Sequence, residues 1–180
     1  MQRKSLLKFF NWKALLLLSI SMWLIGLAFY TYALLTNLPL VTVMADSSQE
    51  QLEYAFSKGS YTISDLNWFV FTIDIYRIVG CLIAFIVFLI LGRSRWHWIN
   101  SLTVLLALYL VGWLKLSVFD FFRNIFWSTA DFVNSRGLQI FIEASILLIL
   151  GVVSLLVLLR LVPRSVSTAG RQIPKTAIIH

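Results

Sequence analysis

Four ionisable residues interrupt otherwise apolar stretches of this 180-residue chain: Asp74, Arg77, Lys115 and Glu143. Charged side chains are costly inside a membrane, and they mark either a functional site or a cluster of paired charges. Asp74 and Arg77 are three residues apart, which places them on one helical face where they can form an ion pair. With two acids and two bases, the set is a candidate polar layer for a proton, an ion or the charged group of a partner.

The four charges fall at a similar depth in their apolar segments. At 1.5 Å per helical residue, Asp74 lies roughly 9 Å from its segment end and Arg77 about one turn deeper. Lys115 and Glu143 lie roughly 6–8 Å from theirs by the same count. Because acids and bases balance, the pattern favours interhelical ion pairs that fix packing, with Lys115 extending to the headgroups. A transport site usually leaves one charge unmatched.

Residues for catalysis and metal binding are scarce. The two histidines, His97 at the predicted inner boundary and His180 at the C-terminus, are too few and lie in too different locations for a metal or haem site. The one cysteine is Cys81. The sequence has no phosphate-binding glycine loop and no GxSxG elbow. We therefore expect no enzyme activity, no metal and no cofactor. We expect Cys81 to be a small packed residue, and Gly80 and Ala84 to form a small-xxx-small pair that packs within the molecule.

The composition requires a bilayer. Apolar residues make up 59% of the chain and charged residues 13%, and the mean hydropathy is +0.85. Soluble domains typically have about 45–50% apolar residues and about 25% charged residues. These values exclude a soluble enzyme, and the single cysteine excludes a disulfide scaffold. The net charge of +7 is divided between the two termini and one short loop, so we expect no nucleic-acid partner.

Four apolar segments are long enough to cross a hydrocarbon core about 30 Å thick, which takes about 20 helical residues. They are residues 14–36, 68–91, 98–119 and 138–161. The first has about 23 residues, more than the roughly 7–15 of a signal-peptide core, so we expect it to be retained rather than cleaved. The sequence therefore predicts an all-α membrane protein with four transmembrane helices.

The connecting segments differ in charge. All eight acids lie between the first and second spans, between the third and fourth, or in the adjoining halves of the spans, and ten of the fifteen bases lie on the other side. By the positive-inside rule, both termini are predicted to be cytoplasmic. The segments are a basic N-terminus (1–13), an acidic extracytoplasmic loop (37–67), a basic cytoplasmic turn (92–97), an aromatic extracytoplasmic interfacial segment (120–137) and a basic cytoplasmic tail (162–180).

Tryptophan gives an independent check on the boundaries of the spans, because its ring prefers the headgroup level. The predicted inner boundary and the predicted outer boundary each hold three tryptophans, and one more lies within the first span. The inner set is Trp12, Trp96 and Trp98, and the outer set is Trp68, Trp113 and Trp127.

Two tripeptides carry a resemblance to a known family. They are Asp74-Ile75-Tyr76, at the outer start of the second span, and Phe122-Arg123-Asn124, just after the third. In these residues, and in their separation across a short basic turn, the chain resembles the immunity proteins against pore-forming colicins of the colicin A type. Those are bacterial inner-membrane proteins with four spans and cytoplasmic termini. The resemblance implies a stoichiometric inhibitor that meets the toxin's hydrophobic helical hairpin within the bilayer and prevents the channel from opening.

Two other functions fit the same features. The first is a small ion-coupled transporter that uses the charged layer, although the broken helices and inverted repeats common in such carriers are not visible in the sequence. The second is an accessory subunit of a larger membrane complex. In each case the expected surroundings are a lipid bilayer and another membrane protein or a membrane-inserted toxin hairpin.

Overall fold

The computed structural model describes residues 11–46, 54, 57–59, 61–91, 98–114 and 133–161. Throughout these ranges the regular structure is helical, and the described residues include no strand. A 3-10 turn, Leu34–Asn37, joins the first two helices. The helices are α1 (Trp12–Ala33), α2 (Leu38–Asp46), α3 (Ile63–Leu91), α4 (Trp98–Leu114) and α5 (Arg136–Leu161).

Three helical segments in the described ranges are long and apolar enough to cross a membrane. They are Trp12–Met44, Ile63–Leu91 and Arg136–Leu161. The all-helical, membrane-type fold is therefore confirmed in this coarse form, with three such segments instead of the predicted four. The predicted third span is described only as α4, whose 17 residues reach about 26 Å, short of the roughly 30 Å hydrocarbon core. Residues 115–119 of that prediction lie outside the described residues.

The first helical segment continues beyond its predicted end at Thr36. Pro39 lies in the first turn of α2, where its missing N–H breaks no intrahelical hydrogen bond. The Asn37 side chain accepts a hydrogen bond from the Leu40 amide at 3.4 Å, which is the contact of a helix N-cap. The chain therefore starts a second helix at once, and all nine residues of α2 lie within the predicted 37–67 loop.

Helix α3 begins five residues earlier than the predicted span, because a capping box defines its start. The Thr62 hydroxyl accepts a hydrogen bond from the Asp65 amide at 3.1 Å. The Asp65 carboxylate in turn accepts from the Thr62 amide at 2.8 Å. This reciprocal pair satisfies two amides that would otherwise lack a partner in the first turn.

Helix α1 is the centre of the arrangement. Both α3 and α5 pack along it, whereas α3 and α5 have little contact with each other. Both are antiparallel to α1. Gly80 in α3 lies beside Gly26, and the Cys81 thiol near it donates to the Met22 carbonyl oxygen at 3.3 Å. In α5, Ser145 meets Tyr32 and Ser154 meets Ser21.

Three clusters of buried apolar residues join the described helices, one near each end and a smaller one between α1 and α5 that contains Leu24, Leu27, Ala28 and Leu147. We call the end at which α1 stops the upper end and the opposite end the lower end. The upper core contains Ala33, Leu34, Leu40, Phe69, Ile73 and Ile140. The lower core contains Ala14, Leu15, Leu18, Met22, Ile25, Ala84, Phe88, Val104, Leu155 and Leu158.

Glycines allow the three long helices to approach closely around Ile25. A Cβ atom on Gly80 would lie 2.9 Å from the Ile25 carbonyl oxygen, and one on Gly151 would lie 2.6 Å from Ile25 Cγ1. Gly80 and Ala84 are both buried on α3. The small-xxx-small pair thus packs within the molecule, as the sequence predicts, and brings α3 against α1.

Candidate functional site

The structure brings Asp74 and Arg77 together on α3. Arg77 Nη2 lies 3.0 Å from Asp74 Oδ1, and the two side chains are about half exposed, 51% for Arg77 and 46% for Asp74. The aliphatic part of Arg77 starts beside α1, since a Cβ on Gly26 would lie 3.7 Å from Arg77 Cγ. The guanidinium then extends toward the amino end of α3, the direction that helical side chains favour. Both charged groups therefore lie at the level of Asp74.

Glu143 occupies a different environment. It lies on the face of α5 that packs against α1, and only 6% of its surface is exposed. Ile140, Ala144 and Leu147 are buried on the same face. A carboxyl group in such a position is far more costly to ionise than one at the surface, unless a positive or hydrogen-bonding group compensates it. Lys115, the predicted partner of Glu143, lies outside the described residues.

The register of the helices places these acids at nearly one level. Gly80 lies beside Gly26, so Asp74, six residues earlier in the antiparallel α3, is level with about the thirty-second residue of α1. Ser145 contacts Tyr32, so Glu143 is level with about the thirty-fourth. The difference of about two residues corresponds to about 3 Å along the helix axis.

Asp74, Arg77 and Glu143 lie at a similar height along the helix axes, but they occupy two separate environments. Asp74 and Arg77 form a half-exposed pair on α3, whereas Glu143 is buried between α5 and α1. The pair neutralises itself and presents both donors and acceptors to whatever contacts α3. Glu143 offers a carboxyl group inside the helix packing. The first group is suited to recognition at the surface, and the second to packing or to proton binding.

A row of hydroxyl groups joins α1 to α5, a feature that the sequence reasoning missed. The Tyr32 hydroxyl and Ser145 Oγ are 2.8 Å apart, and Ser21 Oγ and Ser154 Oγ are 2.9 Å apart. Hydrogen bonds of this kind fix the register of helices in a membrane. The sequence signal was the presence of single serines in apolar spans, but it does not show which serines pair.

The remaining predicted residues divide between the described and the undescribed parts of the chain. Ile75 and Tyr76 are exposed on α3 beside the ion pair, so the first family-like tripeptide lies at the surface. Phe122, Arg123 and Asn124 lie outside the described residues. Among the residues that the structure does describe, no group of three or more His, Cys, Asp or Glu side chains could hold a metal ion.

Comparison of the chain with protein-family models, with curated proteins and with solved structures finds no match. The features of this chain that bear on function are the apolar helices, the half-exposed pair on α3 and the buried Glu143.

Proposed function

We propose that this chain is a non-catalytic integral membrane protein that binds a partner within the bilayer. The observation that carries the proposal is the large apolar surface that the helices leave uncovered. Helix α3 buries one narrow stripe against α1. Its other faces are exposed and almost entirely apolar, and so is the outward side of α5. Such surfaces at membrane depth face lipid or the helices of another membrane protein.

The proposed topology has four transmembrane helices, with both termini in the cytoplasm of a bacterium and the helices in its inner membrane. The charge distribution of the whole sequence supports it, since ten of the fifteen bases lie on the side of the two termini and all eight acids on the other, as the positive-inside rule expects. At the described helix ends, Lys13 and Arg160 lie at the lower end, and Asp65 and Arg136 lie at the upper end. Trp12 and Trp68 are exposed at opposite ends, where the aromatic belts of a membrane protein lie.

The most specific form of the proposal is an immunity protein that blocks a pore-forming bacteriocin. The resemblance of Asp74-Ile75-Tyr76 and Phe122-Arg123-Asn124 to the colicin A type of immunity protein supports this form. So does the position of the first tripeptide, because its three side chains are wholly or partly exposed on α3. A partner that inserts a helical hairpin into the bilayer would be able to reach that face.

The test is expression of the chain in bacteria that are challenged with a panel of pore-forming bacteriocins. We expect survival against one bacteriocin of the panel to rise by orders of magnitude, with no change against the others. A nuclease bacteriocin that enters by the same receptor is the control, since a block inside the membrane should not stop it once it has crossed. Full sensitivity to the whole panel would contradict the immunity function, and protection against the nuclease would indicate loss of the receptor instead.

A second candidate is a small ion-coupled transporter, which the burial of Glu143 favours. Intramembrane carboxyl groups are common in proton relays, and only 6% of the surface of Glu143 is exposed. Reconstituted vesicles would show flux driven by a proton or sodium gradient, and Glu143→Gln would abolish it. Absence of flux in both orientations would reject this candidate and leave the binding function unaffected.

A further inference from the structure

The half-exposed Asp74–Arg77 pair lies in the middle of an apolar patch on α3. Val70 and Phe71 precede Asp74 by one helical turn and Ile78 follows it by one, so all three share its side of the helix. All three are exposed. Lipid chains offer no hydrogen-bonding group to an ion pair in such a patch, and unsatisfied donors and acceptors are costly in hydrocarbon. The contact of 3.0 Å uses only one of the several N–H donors of the guanidinium.

The pair is complementary to a copy of itself. Because Arg77 extends back to the level of Asp74, the positive and the negative group lie at one depth. A two-fold axis along the membrane normal keeps every group at its depth, and it brings two identical patches face to face. Around such an axis the four groups can alternate in sign, with each guanidinium between two carboxylates. Alternation makes every neighbouring contact attractive.

We propose that two copies of this chain pair through α3, crossing at Asp74. Each Arg77 contacts its own Asp74 and also Asp74 of the partner subunit, and Val70, Phe71 and Ile78 surround the four charges. A second copy fits because it needs no feature beyond those already on α3: the same depth, the same apolar patch and the opposite charges. The dimer covers Asp74, whereas Ile75 and Tyr76 point about 100° and 160° away from it around α3 and, like the exposed sides of α4 and α5, remain accessible to another partner. The dimer therefore does not depend on the proposed function.

Disulfide cross-linking tests the proposed interface in the full-length chain. In a Cys81→Ser background, Ile78→Cys and Val79→Cys place single thiols at adjacent exposed positions, 54% and 40% exposed in the native chain, that point about 100° apart on the helix. In vesicles of phosphatidylethanolamine and phosphatidylglycerol, we expect I78C to form covalent dimers at least about tenfold faster than V79C. Equal rates, or no dimer from I78C, would overturn the proposal.

Charge exchange tests the role of the ion pair. We expect Asp74→Asn to reduce self-association by about tenfold or more, since it removes charge-assisted hydrogen bonds from the interface. The single variants Asp74→Arg and Arg77→Asp are each expected not to pair with themselves, because like charges meet across the interface, but to pair with each other, because one chain then supplies the cations and the other the acids. Mixed pairs no more abundant than the self-pairs of either variant would overturn the proposal. Circular dichroism of each variant establishes that it is folded.

These results separate the dimer from the function proposed above. A chain that protects cells but remains monomeric in both experiments contradicts only the dimer. A chain that dimerises through α3 but gives no protection contradicts only the immunity function.

Discussion

At the scale of residues, the charged layer consists of two environments at one level. The Asp74–Arg77 contact follows from i, i+3 spacing on a helix and could be predicted from the sequence. The burial of Glu143 between α5 and α1 could not, because it depends on which of several apolar helices lies at the centre. For the same reason, the close contact between Gly151 and Ile25 could not be predicted from the sequence, because these residues are 126 positions apart in the chain.

The predicted pairing of Glu143 with Lys115 has a direct thermodynamic test. If the two groups share one network, Glu143→Gln leaves a cation without its counter-charge in the membrane. It should therefore destabilise the protein more than the double change Glu143→Gln with Lys115→Met does. Unfolding in mixed micelles gives the two free energies. Equal losses in the single and the double variant would show that the groups are not coupled.

The glycines around Ile25 give a second residue-scale prediction. Gly80→Ala and Gly151→Ala each place a Cβ against Ile25, at 2.9 and 2.6 Å, and each has Ile25 backbone nearby. We expect each to lower the free energy of unfolding by about 1–3 kcal/mol, despite the better helix propensity of alanine. Gly137→Ala is the matched control, because its Cβ would meet only the Leu38 side-chain end. A control that costs as much as the other two would contradict the packing argument.

At the scale of elements, apolar length predicts which segments are helical but not where they end. Helix α2 follows α1 because Pro39 and Asn37 start a new helix within what a hydropathy reading assigns to a loop. Helix α3 starts early because Thr62 and Asp65 cap it. Both signals are present in the sequence, but they are local polar contacts that an apolar window does not register. The central place of α1 is set by packing between distant segments.

The capping box predicts a local effect on the start of α3. Thr62→Val removes the hydroxyl that accepts from the Asp65 amide, and we expect a cost of about 0.5–2 kcal/mol at that helix end. Amide hydrogen exchange should accelerate at Asp65 and Leu66 and stay unchanged at Ile73, within the upper core. Ser64→Ala, an exposed change in the same turn, serves as control. Unchanged exchange at Asp65 would show that the cap does not hold this end.

At the scale of the whole molecule, the segregation of basic and acidic residues in the sequence argues for one orientation in the membrane. In a Cys81→Ser background, Ile63→Cys at the upper end should react with a membrane-impermeant maleimide added to intact cells. Ile83→Cys, exposed in the middle of α3, should not react because lipid covers it. Labelling of I63C only after the membrane is opened would reverse the proposed topology.

The central proposal also concerns the whole molecule: the chain stops a membrane-inserted toxin by binding it within the bilayer. Potassium efflux from vesicles that contain the purified chain measures this directly, with no cell receptor involved. For the bacteriocin against which the chain protects cells, we predict that efflux falls in proportion to the chain present and stops near one chain per toxin. Efflux that is unchanged by an excess of the chain would contradict the account.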